Sequence, residues 1–380
     1  MKPFAVSLLL AFVASAIPTN STLEKRQCQS SLDIANTVAT RLQSNFYNAN
    51  TGFYNGGSRW TDANNIENLA TGGNQWSTLG DTSYLGRAVA QQRSTGVSPW
   101  PGIVEGSWDD AGWMVLALWK IADYKIARGL DGSAYRTSAR SVYDIIEAQW
   151  DATVCGGGVW WSSARDYKNS ITNELFLLIS AVGAINFPGT TKFLTNAQRS
   201  RNWIKSSALR NAQGLFNDGL VTSTCANNGQ TTWTYNQAVI GAGLGALYAT
   251  TRDTTLLTDA ELTFDAAISR LQSNNILKES CDSATTQSCD VNQVAFKGIF
   301  VKHLQYYLDR VNDASRTAKY AGFLHAQASG VFHFGTSAAN DIGSVWFAPN
   351  AGGSIFGSTS SGSGLAAHVA NAKYGPCTSL

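Results

Sequence analysis

The stretch Ser107–Ala127, SWDDAGWMVLALWKIADYKIA, decides how the rest of this chain is read. It holds no proline and one glycine. From Ala111 onward apolar side chains fall on nearly every side of a 3.6-residue helix, among them Trp113, Met114, Val115, Leu116, Leu118, Trp119 and Ile121. A helix that is apolar all round is buried by other elements. At its entrance stand two consecutive carboxylates, Asp109 and Asp110, beside Trp108. Asp is a favoured cap and first-turn residue, worth about 0.3–1 kcal/mol against the helix macrodipole, so the pair has an ordinary structural reading. Two acids at the end of a buried helix, next to aromatic rings, are nevertheless costly unless the charge serves a purpose.

Working outward, the apolar spacing predicts helices near 31–46, 76–93, 107–127, 133–150, 170–186, 194–210, 234–250, 255–273, 291–310, 313–329 and 361–373, with a weaker segment around 337–347. No β-alternating series and no long polar linker interrupts them. The segments are of two kinds. Ser133–Trp150 is amphipathic, with Ala139, Val142, Ile146 and Trp150 on one side and Arg136, Arg140, Asp144 and Glu147 elsewhere. Ile171–Ile185 and Tyr235–Ala249 are richer in apolar and small residues and read as buried. Alternation of the two kinds predicts an all-α fold, an inner ring of helices inside an outer one, closed into a single toroid rather than two domains. An open helical solenoid is the alternative, but no fixed-length repeat is present.

The first residues read as a leader. Lys2, the apolar run Ala5–Ile17 and the small residues Ala14-Ser15-Ala16 form a signal peptide over residues 1–16. Residues 17–26 form a pro-segment ending in Lys25-Arg26, so the mature chain is expected to start at Gln27 and to be one domain over 27–380. The sequon Asn20-Ser21-Thr22 lies in the removed part. The net charge of +2 then falls to balance, because Lys2, Lys25, Arg26 and Glu24 leave together. Without a basic stripe, nucleic acid and anionic membranes are poor partners. A charged fraction of 14% with 12 Trp and 13 Tyr points to a neutral ligand bound by stacking. No later apolar run has membrane-spanning length, and Lys373–Leu380 lacks the tail of a GPI signal. The expected product is a secreted, extracellular monomer. Six cysteines in such a chain imply disulfides. Six allow 15 pairings, among which the sequence alone does not choose; one set is Cys281–Cys289 as a local staple, Cys28–Cys377 tying the two ends together and Cys155–Cys225 as the remaining pair. Neither metal nor cofactor is expected, since there is no Cys-x-x-Cys and the four His are scattered.

The stretches leading into the apolar helices pair aromatic rings with amides and hydroxyls: Phe53-Tyr54-Asn55-Gly56-Gly57 with Trp60-Thr61-Asp62-Ala63-Asn64-Asn65, Gly156-Gly157-Gly158-Val159-Trp160-Trp161, Asp166 through Glu174, and Thr232 through Gln237. Gly-rich loops with ordinary caps give the same composition. A sugar also needs this combination, its C–H face on Trp or Tyr and its hydroxyls on amides and acids. The chemistry that fits is glycosidic cleavage, in which carboxyls about 5–5.5 Å apart give retention and about 6.5–9.5 Å inversion. Adjacency favours retention. The helix N-terminus suits an anionic nucleophile, and a second carboxyl beside it, against Trp108, should hold its proton and act as the acid.

Trp108-Asp109-Asp110-Ala111-Gly112-Trp113, Gly156-Gly157-Gly158-Val159-Trp160-Trp161, Tyr167-Lys168-Asn169-Ser170-Ile171-Thr172-Asn173-Glu174-Leu175 and Trp233-Thr234-Tyr235-Asn236-Gln237, in that order, resemble glycoside hydrolase family 76, the endo-α-1,6-mannanases of bacteria and fungi. The resemblance runs from about residue 30 to 375. It implies an (α/α)6 barrel and retaining hydrolysis of internal bonds in α-1,6-mannan or mannooligosaccharides, with no metal. By the same resemblance Asp109 is the nucleophile and Asp110 the acid/base. Trp108, Asn173, Glu174, Trp233, Tyr235 and Asn236 would line the groove, as would Asp62, matched only through its loop. Lys168 is expected to pair with Asp166 rather than to reach a substrate. Two rivals stand beside this reading: a cell-wall transglycosylase acting on GPI-glycan mannose, and a non-catalytic mannan-binding protein.

Overall fold

Helices of the two expected kinds sort into two layers. The computed structural model describes residues 28–72 and 79–380; the expected signal peptide, the expected pro-segment with its sequon and the expected start at Gln27 lie outside the described residues. Among those residues twelve helices have twelve residues or more: α1 (Gln29–Phe46), α2 (Arg59–Gly72), α3 (Tyr84–Thr95), α4 (Trp108–Ile126), α5 (Ser133–Glu147), α6 (Ser170–Asn186), α7 (Thr191–Ser206), α8 (Thr234–Thr251), α9 (Thr255–Arg270), α10 (Phe296–Val311), α11 (Ala314–Gly330) and α12 (Ser358–Tyr374). The even-numbered helices close a ring: α2 packs on α4, α4 on α6, α6 on α8, α8 on α10, α10 on α12, and α12 returns to α2. The odd-numbered helices lie outside it. This is the (α/α)6 barrel, with three short antiparallel hairpins among the connections, such as Tyr47 opposite Tyr54.

Burial follows the patterning. On α5, Tyr135, Ala139, Val142, Tyr143 and Ile146 face the ring while Arg140 and Asp144 are exposed. On α8 three glycines let three neighbours approach: a side chain at Gly241 would meet Phe264 of α9, at Gly243 Leu177 of α6, and at Gly245 Tyr307 of α10.

The largest departure from the sequence reading is α2. Its residues RWTDANNIENLATG are mostly weak helix formers, and Trp60–Asn65 read as a loop because Asn, Asp and Thr compete for backbone hydrogen bonds. Their side chains are instead engaged by the ring. Lys302 of α10 donates to Asn64 Oδ1 at 2.6 Å and pairs with Glu67; Asn65 donates to the Ser358 carbonyl at 3.4 Å and Asn68 to that of Gly362 at 2.9 Å. Tertiary partners thus override propensity.

Smaller departures are local. Of the helix expected over 76–93, the described part from residue 79 is a short turn, Leu79–Thr82, followed by α3; that over 291–310 opens as a 3₁₀ turn, Gln293–Ala295; and 337–347 is irregular. Cys155–Cys225 and Cys281–Cys289 are bonded. The expected third bridge is not formed. Packing of α1 on α12 brings Cys28 and Cys377 into contact, but both remain thiols, Cys377 on the exposed tail beyond α12 and Cys28 also sharing a hydrogen bond with Ser30.

Candidate active site

Because inner and outer helices alternate direction, the inner helices begin at one end of the barrel, and a cleft of about 410 Å³ opens there. Residues at or near the starts of five inner helices line it: Trp60 of α2, Asp109, Asp110 and, one turn further on, Trp113 of α4, Asn169 before α6, Tyr235 of α8 and Phe296 of α10. Ser107, Trp161, Tyr167, Asp218 and Asn292 complete it from the connections. Helix N-termini carry unsatisfied N–H groups and partial positive charge, so an anion placed here is favoured.

Asp109 and Asp110 are half-buried at the start of α4. Trp161 Nε1 donates to Asp109 Oδ2 at 3.2 Å. Burial raises the Asp109 carboxyl to about 6, against backbone N–H donors and Trp161, which favour its ionised form, with Asp218 raising it further. Asp110 is pushed further, to about 8, by burial first, then by the charges of Asp109 and Glu105, with Arg59 opposing. Burial and mutual repulsion thus favour a shared proton on the pair, and Asp110 is the more strongly raised of the two. Arg59 and Glu105 form an ion pair beside it.

The wall carrying Trp161 is built from its own sequence. The Trp108 N–H donates to the Trp161 carbonyl at 3.0 Å, and the Ser163 N–H to that of Gly106 at 2.9 Å. Behind it, Lys168 is wholly buried and donates to the carbonyls of Asp151, Val154 and Gly157 at 2.8, 2.6 and 2.7 Å, with its ammonium 4.6 Å from the Trp160 ring. It therefore neither pairs with Asp166 nor faces the cleft. Gly157 (φ +154°) and Gly158 (φ +100°) take backbone conformations open to glycine, and a Cβ on either would strike Trp203. The Cys155–Cys225 bond closes this segment onto the hairpin that follows Asp218.

Of the residues singled out in the sequence, Asp109, Asp110 and Tyr235 line the cleft. Trp233 packs edge-on against Phe296, on whose face Tyr235 stacks at 3.9 Å. The others lie behind the surface. Trp108 is buried, its indole N–H without a partner. Asp62 is wholly buried, accepts the Tyr54 N–H at 2.8 Å and is raised to about 7 by burial. Asn173 is buried and clamps Val159 through both backbone groups, at 2.7 and 3.1 Å. Glu174 and Asn236 are wholly buried with no partner on either terminal polar atom; burial and Asp218 raise the Glu174 carboxyl well above its usual range.

Sequence reasoning passed over Asp218, the third carboxyl of the cleft. It sits before Gly219 and reads as an ordinary turn, yet Tyr167 donates to its Oδ2 at 2.5 Å and burial raises its carboxyl. Asn292, which accepts from Trp60 Nε1 at 3.2 Å, carries no sequence signal either. Trp60, Trp161 and Tyr167 stand in the aromatic–amide motifs and were legible there. Among the described residues no group of three or more His, Cys, Asp and Glu is arranged to hold a metal ion.

The glycosyl hydrolase family 76 pattern matches residues 30–375. The chain belongs to glycosyl hydrolase family 76. Among sequence relatives, the mannan endo-1,6-alpha-mannosidase DCW1 of Candida albicans is 28% identical over 218 residues, covering 53% of this chain and 46% of that protein. The chain thus spans about half the length of the fungal relatives it matches. Two solved structures share the fold over most of this chain. One is an inactive variant of the alpha-1,6-mannanase GH76A of Salegentibacter sp. HEL1_6, with two consecutive aspartates replaced by asparagine, in complex with alpha-1,6-mannotriose (TM-score 0.70, 18% identity, 90% of this chain and 99% of that one). The other is Dfg5 from Chaetomium thermophilum in complex with glucosamine (TM-score 0.73, 16% identity, 90% of each chain). At these identities the likeness carries the fold.

Proposed function

We propose that this family 76 chain is a secreted endo-1,6-α-mannosidase that cleaves internal α-1,6 bonds of mannan with retention. The observation that carries this reading is the placement of two consecutive carboxyls, Asp109 and Asp110, in the first turn of α4, both lining one aromatic-walled cleft. Ionised Asp109 attacks the anomeric carbon. Asp110 gives its proton to the departing glycosidic oxygen, leaving a mannosyl ester on Asp109. Asp110, now a carboxylate, takes a proton from water, which opens the ester and returns Asp109 as a carboxylate. Trp60, Trp161, Tyr235 and Phe296 offer ring faces and edges to the sugar, and Asn169, Asn292 and Asp218 offer hydrogen-bonding groups to its hydroxyls.

Relatives named as endo-1,6-alpha-mannosidases support the substrate, and the inactivity of a mannanase lacking two consecutive aspartates supports the pair. Two disulfides support passage through an oxidising compartment, and no helix among the described residues is long and apolar enough to cross a membrane.

The test is incubation of linear α-1,6-mannan with the protein in ¹⁸O-labelled water, beside Asp109→Asn and Asp110→Asn. Shorter, labelled mannooligosaccharides from the wild type alone establish hydrolysis through this pair. Longer unlabelled products establish transfer to an acceptor sugar instead. Binding of the polymer without cleavage overturns the enzymatic reading.

A further inference from the structure

Helix α8 begins without a cap of its own. The residue before it is Trp233, whose indole donates but cannot accept and makes no cap bond. The acceptor comes from a segment 45 residues further along the chain. Glu279, 2% exposed, accepts the Thr234 N–H on both carboxyl oxygens, at 3.3 Å each, and the Thr234 hydroxyl on one of them.

Glu279 is itself fixed. Its N–H donates to Asp282 Oδ2 at 2.9 Å, and the same oxygen pairs with the ammonium of Lys297. Lys297 is wholly buried, 5.2 Å from the centre of the Trp346 ring, and the Cys281–Cys289 bond closes the loop that carries Asp282. Three buried ionisable groups thus link the connection before α10 to the first turns of both α8 and α10. A buried ion pair adds little net stability over apolar residues of the same volume, since desolvation offsets the attraction.

What this relay supplies is placement. Thr234 precedes Tyr235 and Lys297 follows Phe296, and those two rings stack at 3.9 Å and 12°, both lining the cleft. The far end of the same connection delivers Asn292, whose N–H is held by Asp290 Oδ1 at 2.8 Å and whose Oδ1 accepts from Trp60 Nε1 at 3.2 Å. Glu279, Asp282 and Lys297 themselves do not line the cleft. We propose that Glu279 is a positioning residue for sugar binding: by capping α8 and tying it, through Asp282 and Lys297, to the start of α10, it holds Tyr235 against Phe296 so that the tyrosine meets a mannosyl ring in one fixed orientation. The proposal rests on the mannosidase reading for its ligand; the placement of the two rings is a property of the free chain.

Isothermal titration with α-1,6-mannotetraose tests it, in the full chain carrying Asp109→Asn and Asp110→Asn so that no sugar is consumed. Adding Glu279→Ala should weaken binding about tenfold, the size of one lost aromatic contact. Glu279→Gln, which keeps an acceptor oxygen for Thr234, should recover most of this. In a Tyr235→Ala background the Glu279→Ala loss should disappear, because the residue acts through that ring; general loosening of the fold would add to it instead. Hydrogen exchange of the free chain is the arm that needs no ligand: amides at the start of α8 should exchange faster in Glu279→Ala than in the parent, at a temperature where melts show both folded. Thr234→Val, which removes only the hydroxyl donor, should give a smaller change of the same sign and replaces Glu279→Ala if that variant does not fold. Unchanged affinity, unchanged exchange, or a loss that adds fully to that of Tyr235→Ala overturns the proposal. A parent that binds no mannotetraose overturns the mannosidase reading instead, and exchange at the start of α8 then decides the positioning alone.

Discussion

Trp161 Nε1 donates to Asp109 Oδ2 at 3.2 Å, while the carbonyl of the same tryptophan accepts the N–H of Trp108 at 3.0 Å. The residue before the carboxylate and the ring above it are therefore held by one another. A hydrogen bond to an ionised group contributes about 1.5–3 kcal/mol, and this one favours the ionised form of Asp109, the form that attacks under the proposed mechanism. Trp161→Phe should lower kcat/KM by roughly 10- to 100-fold and move the acidic limb of its pH profile upward, since the lost donor favoured ionisation. An unmoved acidic limb would show that the indole only stacks on substrate.

The pair itself sets a pH window. Under the proposed mechanism Asp109 must be ionised, so kcat/KM should fall as pH drops through about 6; Asp110 must be protonated, so it should fall again as pH rises through about 8. These are apparent values of a coupled pair. A mannan-hydrolysis profile lacking either limb would refute the division of roles.

Stability should mirror this with a definite sign. The folded-state affinity of Asp110 is raised above its ordinary value of 3.8 to about 8, so the unfolded chain ionises first and wild-type stability falls as pH rises between those values. Asp110→Asn has no such proton to lose. Its melting temperature should exceed that of the wild type at pH 8 and converge with it near pH 4, read by calorimetry at both pH values.

Lys168→Met should destabilise the fold by about 3–5 kcal/mol, because three buried carbonyls lose a charged donor at once. Lys168→Arg should not rescue it, since a planar fork cannot meet carbonyls converging on one point. Denaturant unfolding measures both; a loss under about 1 kcal/mol would mean that water replaces the ammonium.

Lys302 and Glu67 are almost fully buried and paired across the ring. Leaving one charge alone there costs about 3–5 kcal/mol, whereas replacing both by apolar groups of similar volume is close to neutral. Lys302→Met should therefore be strongly destabilising, and Lys302→Met with Glu67→Leu should recover most of the loss. A double variant no better than the single one would place the stabilisation in Asn64 and the rest of the network.

The barrel was legible wherever apolar content repeats. Helices α4, α6 and α8 declare burial on every side, and α5 declares one face. The one inner helix that escaped, α2, has its polar residues inside, and no periodicity reveals an Asn or Glu whose partner is Lys302, more than two hundred residues away. The candidate site divides the same way. Asp109, Asp110 and Tyr235 stand in dense local motifs, and so does Trp161. Asp218 and Asn292 reach the cleft from turns whose local sequence is ordinary.

By itself the sequence determined the alternation of buried and amphipathic helices, the pair of carboxylates at a helix start, and the aromatic–amide motifs, because these depend on residues within a few turns of one another. Only the tertiary structure decided which motif residues face the cleft and which stand behind it. Asn173 looks like a ligand in the sequence and is a clamp on Val159; Lys168 looks like a surface cation and is the buried centre of three carbonyls. A side chain's role here follows from which donors and acceptors the closed ring brings within hydrogen-bond reach. That is a property of ring closure, fixed by contacts between distant segments.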